Sequence, residues 1–156
     1  MRLRKVRSYM FVNIDKNSVL FYKAIEDIWC AEQTYKGSPN NAVWSCCQAA
    51  EKVMKGFLQC CGIDSNSVHE LNIILEAVER EHTPSEDVTT SIYNLSRYDQ
   101  RLRYKNLRTD PTPEDAKATI EDAKLILDDF SGHPKCASFV SEAKEVHAKM
   151  LRDVSN

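Results

Sequence analysis

Between Ala42 and Cys61, apolar residues return every three or four positions for nearly six turns. They are Val43, Cys46, Ala49/Ala50, Val53/Met54, Phe57 and Leu58/Cys61. Only an α-helix with one face in a core satisfies that spacing. Gly62 follows at the left-handed position where helices stop. Glu51 and Lys55 stand four apart, acid first, the favoured order for an ion pair along a helix.

The same period recurs on both sides. Phe21, Ile25, Ile28, Glu32 and Tyr35 form a stripe over 18–35, with Ala24 and Ala31 beside it. The turn "KGSPNN" ends that segment, and Asn40 or Asn41 is expected to cap the next helix. A short helix over 69–82 carries Leu71, Ile74, Leu75 and Val78. "TPSED" predicts a restart with Thr83 as cap, Pro84 in first position and Glu86 closing a capping box. The fourth stripe is Val88, Ile92, Leu95, Asp99 and Leu102, and its helix is expected to end between Tyr104 and Leu107. Thr112, Pro113 and Asp115 repeat the capping pattern ahead of Ala116, Ile120, Ala123, Leu127 and Phe130. A last helix over 135–152 holds Phe139, Val140, Ala143, Val146, His147 and Met150. Period-two alternation is confined to "SYMFVNI", and a lone strand has no partner. The fold class is therefore all-α, an up-and-down bundle of four long helices with a short helix and an extra C-terminal helix. The organisation expected is a basic arm over 1–17, a helical bundle over 18–130 and a C-terminal extension over 131–156.

Apolar content of 42% and charged content of 28% suit a soluble globular chain. No apolar run reaches the ~18 residues of a membrane span. The start "MRLRKVRSYMFVNID" has the basic residues of a secretory leader but only Tyr9–Val12 as an apolar run, so a cytoplasmic location is expected. The six cysteines include two adjacent pairs within helical pattern, Cys46–Cys47 and Cys60–Cys61. Neighbours on a helix diverge too far to bridge, and no C-x-x-C spacing marks a zinc site. Reduced thiols used as small apolar residues, with no metal and no cofactor, are the expectation. There is also no glycine-rich phosphate loop and no nucleophile elbow.

Charge is segregated. Arg2, Arg4, Lys5 and Arg7 precede the first acid, and Arg97, Arg101, Arg103, Lys105 and Arg108 crowd one helix end. Nine cations against the single acid Asp99 leave eight positive charges in surplus. The rest of the chain is thus net −10, for a total of −2. Two or three cations at a helix C-terminus offset its dipole; five point towards an anion. Asp99 falls in line with Leu95 and Leu102, so it is expected to be at least partly buried, either as a stripe-edge or ion-paired residue with Arg103, Lys52 or Lys55 in reach, or as a site carboxylate held beside the arginines.

The segments "AVWSCCQAAEKVMKGFLQCCG", "VHEL", "RYKN" and "TPEDAKATIEDAKLIL" together resemble the HEPN domain family (higher eukaryotes and prokaryotes nucleotide-binding). Ala50, Glu51, Lys52, Lys55 and Leu58 match its Ala-Glu-Lys-x-x-Lys-x-x-Leu helix. His69 and Leu71 match a His-x-Leu helix start. Arg103 and Tyr104 match an Arg-Tyr-Pro stretch in which Lys105 replaces the proline, and Thr112, Glu114, Asp115 and Ala116 match the last piece. The likeness spans about 18–130. It implies a bundle that often dimerises. Some members are metal-independent endoribonucleases acting as toxins or antiviral effectors, others are partners of a small nucleotidyltransferase, and others bind nucleotides without cleavage. The nuclease branch carries Arg-x(4–6)-His on the fourth helix. Here the corresponding positions hold Leu102, Arg103 and Tyr104 counted from Arg97, and Asn106, Leu107 and Arg108 counted from Arg101.

The expected function is a non-catalytic module binding nucleotide or RNA phosphate through Arg97, Arg101, Arg103, Lys55 and His69, with Asp99, Glu51 and Lys52 as a polar network. One alternative is a ribonuclease using Arg97, Arg101 and Tyr104 beside Asp99. Another is a module for protein interaction alone. His82 and His133 are read as helix-end residues, and His147 as a stripe-edge residue.

Overall fold

The computed structural model describes residues 13–104 and 110–155, with the backbone alone for 101–104. Six helices occur among them: α1 (Val19–Thr34), α2 (Pro39–Cys60), α3 (Leu71–Glu79), α4 (Glu86–Tyr104), α5 (Pro113–Ser131) and α6 (Ala137–Ser155). The bundle is all-α, with one short helix and a C-terminal helix added. No described helix is long and apolar enough to cross a membrane. The segment "SYMFVNI" lies mostly outside the described residues, as does the basic arm up to Val12.

α2 is the axis. It packs against α1, α3, α4 and α5, and its apolar stripe is buried as the spacing requires. Contact with four neighbours explains why burial extends beyond that stripe to Cys47, Glu51, Lys55 and Gly56. Gly56 admits the ring of Phe21, since a β-carbon there would stand 2.9 Å from Phe21 Cζ. Phe57 meets Phe130 with ring centroids 5.3 Å apart, and His133 at 5.0 Å. All six cysteines are free thiols.

The helix ends follow local chemistry, with two corrections. Gly62 takes φ +77, and the Ile63 amide donates to the Leu58 carbonyl at 2.9 Å, closing a Schellman turn. Thr112 and Asp115 form the expected capping box, with Asp115 N donating to Thr112 Oγ1 at 3.1 Å and Thr112 N to Asp115 Oδ2 at 2.9 Å. α2, however, begins at Pro39 after Ser38 and not at an asparagine cap. The fixed φ of proline suits the first helical position, and Asn40 Nδ2 instead donates to Asp110 Oδ1 at 3.4 Å. α4 is capped by Ser85, not Thr83: Ser85 Oγ accepts from Val88 N at 3.3 Å and its carbonyl from Thr89 N at 2.9 Å. Pro84 is buried ahead of the helix, which moves the cap two residues along.

α6 packs chiefly on α1, with a smaller contact to α5. Asp15 N donates to Glu142 Oε1 at 2.7 Å, and Tyr22 Oη to Met150 Sδ at 2.8 Å.

Candidate functional site

The basic end of α4 is represented among the described side chains by Arg97. It stands at the mouth of a groove of about 280 Å³ between α4 and α5, lined by Asn94, Arg97, Tyr98, Ala118, Thr119 and Asp122. A chain of hydrogen bonds organises this groove. Arg97 Nη2 donates to Asn94 Oδ1 at 2.6 Å, and Asp122 accepts from Asn94 and from Ser91 Oγ at 2.8 Å. Burial pushes the Asp122 carboxyl above the usual carboxylate range, against the pull of those two donors. Cys46, behind Thr119, has its thiol pushed up to about 12, chiefly by burial.

Arg97 is exposed. One nitrogen is held by Asn94, which aims the guanidinium and leaves further N–H groups for an outside acceptor. Such a fork fits phosphate or carboxylate oxygens. Arg101 stands one turn further along the same helix face. The side chains of Arg101, Arg103 and Tyr104 lie outside the described residues, as do Lys105 and Arg108.

A second polar cluster sits where α2 meets the segment before α3. Glu51 Oε1 takes Lys55 Nζ at 2.8 Å and His69 Nδ1 at 2.8 Å, and Lys55 Nζ and His69 Nδ1 are 3.4 Å apart. The Glu51 and Lys55 side chains are 8% and 9% exposed, and His69 is 59% exposed, so the pair is interior and the imidazole is its lid. A shallow pocket of about 320 Å³ adjoins Lys55, bounded by Leu20, Gln59 and the 62–66 loop.

The expected site residues therefore fall in two places. Cys47 Sγ donates to the Leu95 carbonyl at 3.4 Å, while Phe57 faces His82, so α2 and α4 run antiparallel. Lys55 is eight residues from Cys47, and Arg97 is two residues from Leu95 in the opposite direction. At 1.5 Å per residue the two are separated by about 15 Å along the bundle. The expected network of Asp99, Glu51 and Lys52 is likewise distributed. Lys52 bonds Asp27 of α1, whose carboxyl is pushed up by burial against that bond. Glu51 joins Lys55 and His69. Asp99 is 4% exposed, as its place on the stripe requires, and is engaged.

Ser91, Asn94 and Asp122 were not legible as site residues. Ser91, Asn94 and Arg97 do recur at intervals of three on α4, which is a helical polar line. Asp122 carries no signal of its own because its partners lie on another helix. His82 is more than a helix-end residue: its Nε2 is 2.9 Å from Asp129 Oδ2, and its ring packs with Phe57, Phe130 and His133. No group of three or more His, Cys, Asp or Glu side chains among the described residues is arranged to hold a metal ion.

The described residues form an all-α bundle on a central helix whose buried Glu51–Lys55 pair lies under His69. The HEPN domain model matches residues 18–133, so the chain belongs to the HEPN domain family. The match covers α1 to α5 and ends before α6. Neither the curated proteins nor the solved structures compared with the chain gave a match.

Proposed function

We propose that this chain is a non-catalytic HEPN module that binds nucleotide or RNA phosphate along the basic edge of α4, acting as a homodimer and as partner of a small nucleotidyltransferase. The observation that supports this reading is Arg97, held by Asn94 at the mouth of the α4–α5 groove with donors to spare. Arg101, one turn on, continues the edge by register. Tyr98 lies beside Arg97 in the lining and offers an aromatic face to a base. Lys55 is committed to Glu51, which leaves the arginines as the anion contacts. The reading as non-catalytic rests on the sequence. At the spacing where the nuclease branch has histidine, the best proton-transferring group is Tyr104, and an ordinary phenol near pKa ~10 is a poor base at neutral pH.

Thermal unfolding with ATP, GTP and a short single-stranded RNA tests this. Ligand at 100 times its Kd adds about 2.7 kcal/mol, which in a domain of this size raises Tm by roughly 5–10 °C. The rise is expected to shrink with salt and to vanish in Arg97→Ala. No rise with any of the three ligands rejects the binding reading. Chelator-resistant RNA cleavage that is lost in Arg101→Ala would favour the nuclease reading instead. The homodimer is a separate expectation: sedimentation equilibrium at micromolar protein should give about twice the monomer mass, and a monomer there removes it.

A further inference from the structure

The last residue of α2, Cys60, meets the head of α6. Cys136 stands just ahead of that helix: its N donates to the His133 carbonyl at 2.9 Å, and its carbonyl accepts from Val140 N at 2.9 Å. The Cys136 side chain is wholly buried, and its thiol is hydrogen-bonded to that of Cys60. Cys60 is half-buried. Cys61 ends the same helix, with its sulfur 4.0 Å from Lys135 Nζ. One thiol pair thus joins segments roughly 75 positions apart, one inside the HEPN match and one beyond it. Adjacent cysteines on a helix are poorly placed to bridge each other, whereas two thiols in contact across segments need only side-chain rotation.

The pair is asymmetric. Cys136 donates its S–H and Cys60 accepts. Burial raises both thiols; the hydrogen bond opposes that rise at Cys60 and adds to it at Cys136, which is pushed up to about 12. Cys60 is therefore the thiol that ionises first, and the one that a reagent in solution can touch. Cys136 needs no access of its own, because its target is the Cys60 sulfur beside it. Two consequences follow from such basic thiols. Thiolate is scarce at neutral pH, so the pair reacts slowly. A basic thiol is also a poor leaving group, so a disulfide once formed resists reduction. That is the behaviour of a latch and not of a rapid sensor.

We propose that Cys60 and Cys136 form a disulfide by exchange with a low-molecular-weight disulfide, and that this bond latches the head of α6 to the end of α2. The Cys60 thiolate attacks one sulfur of the small disulfide; that S–S bond breaks and one small thiol leaves. The Cys136 thiolate then attacks the Cys60 sulfur of the mixed disulfide and displaces the second small thiol. The small disulfide is reduced to two thiols, the protein pair is oxidised, and the two cysteine protons end on the released thiols. α6 packs chiefly on α1, so the bond adds a covalent tie to the central helix. It goes beyond phosphate binding on α4 and uses none of the same residues.

The test treats the full chain with oxidised glutathione, alkylates the remaining thiols after denaturation and reads the intact mass. The expected product is a monomer with two fewer alkylated thiols than the six of the reduced chain. Non-reducing peptide mapping should join the peptide holding Cys60 to the one holding Cys136. Cys60 and Cys61 share a tryptic peptide, so variants assign the bond: Cys61→Ala should keep it and Cys60→Ala should abolish it. Cys136→Ala should stop at one glutathione on Cys60. The oxidised chain is expected to melt roughly 10 °C higher than the reduced one and to return to the lower Tm with dithiothreitol. No disulfide within the monomer, a bond that survives in Cys60→Ala, or an oxidised chain that melts no higher than the reduced one overturns the proposal.

Discussion

Phe57→Ala is expected to lower unfolding free energy by about 3–5 kcal/mol, the range for deleting a large buried aromatic ring. The side chain is wholly buried on the central helix, and its ring is met by His82 at 5.8 Å, Phe130 at 5.3 Å and His133 at 5.0 Å between centroids. Those partners come from the α3–α4 connection, the end of α5 and the turn into α6. One ring therefore joins two chain reversals, α3–α4 and α5–α6, at the same end of the bundle. The His82–Asp129 bond at 2.9 Å closes the cluster from outside. Against a total stability of about 5–15 kcal/mol for a typical domain, the loss is large, and Tm should fall by roughly 10 °C. Phe57→Leu keeps most of the volume and should cost about half as much. Urea titration measures both. A loss for the alanine variant under about 1 kcal/mol would mean that the cluster collapses to refill the space, and that this end of the bundle is not fixed by its rings.

What could be read from the residues and what could not divide along the range of the interactions. The α2 stripe, the Gly62 turn and the Thr112–Asp115 box depend on residues within one or two turns, and the sequence displays them. The sequence pattern points to Thr83 where Ser85 caps α4, because Thr83-Pro84 satisfies a local rule while the burial of Pro84 is set by the surrounding helices. Asn40 escaped for a similar reason, since its partner Asp110 is seventy residues away. The site divides in the same manner. Glu51–Lys55 is an i,i+4 pair and was legible, and Asp99 was legible as buried because the helical period leaves it no other place. Lys52–Asp27 and Ser91–Asp122 join different helices, so nothing near either residue announces the bond. The period assigns His147 to the stripe, but whether its nitrogens find partners depends on three helices at once.

Glu51→Ala is the change expected to disturb the family-defining helix most. It removes the carboxylate from a pair in which both side chains are more than nine-tenths buried, leaving the Lys55 ammonium inside with His69 Nδ1 at 3.4 Å as its nearest remaining polar contact. Breaking one side of a buried ion pair costs about 3–5 kcal/mol, because the surviving charge is desolvated without compensation. Replacing both sides is different. Glu51→Leu with Lys55→Met removes both charges and conserves volume, and such exchanges are often neutral or stabilising. The double-mutant cycle thus predicts strong coupling, with the double variant near wild type and Glu51→Ala far below it. Similar losses in the single and double variants would show that packing, not charge, holds this face of α2. The same double variant separates the two polar clusters functionally. If the arginine edge of α4 carries the anion, as proposed, the double variant keeps its nucleotide-induced rise in Tm while Arg97→Ala loses it. A double variant that folds and no longer responds to nucleotide would move the binding site to Lys55 and His69, about 15 Å down the bundle.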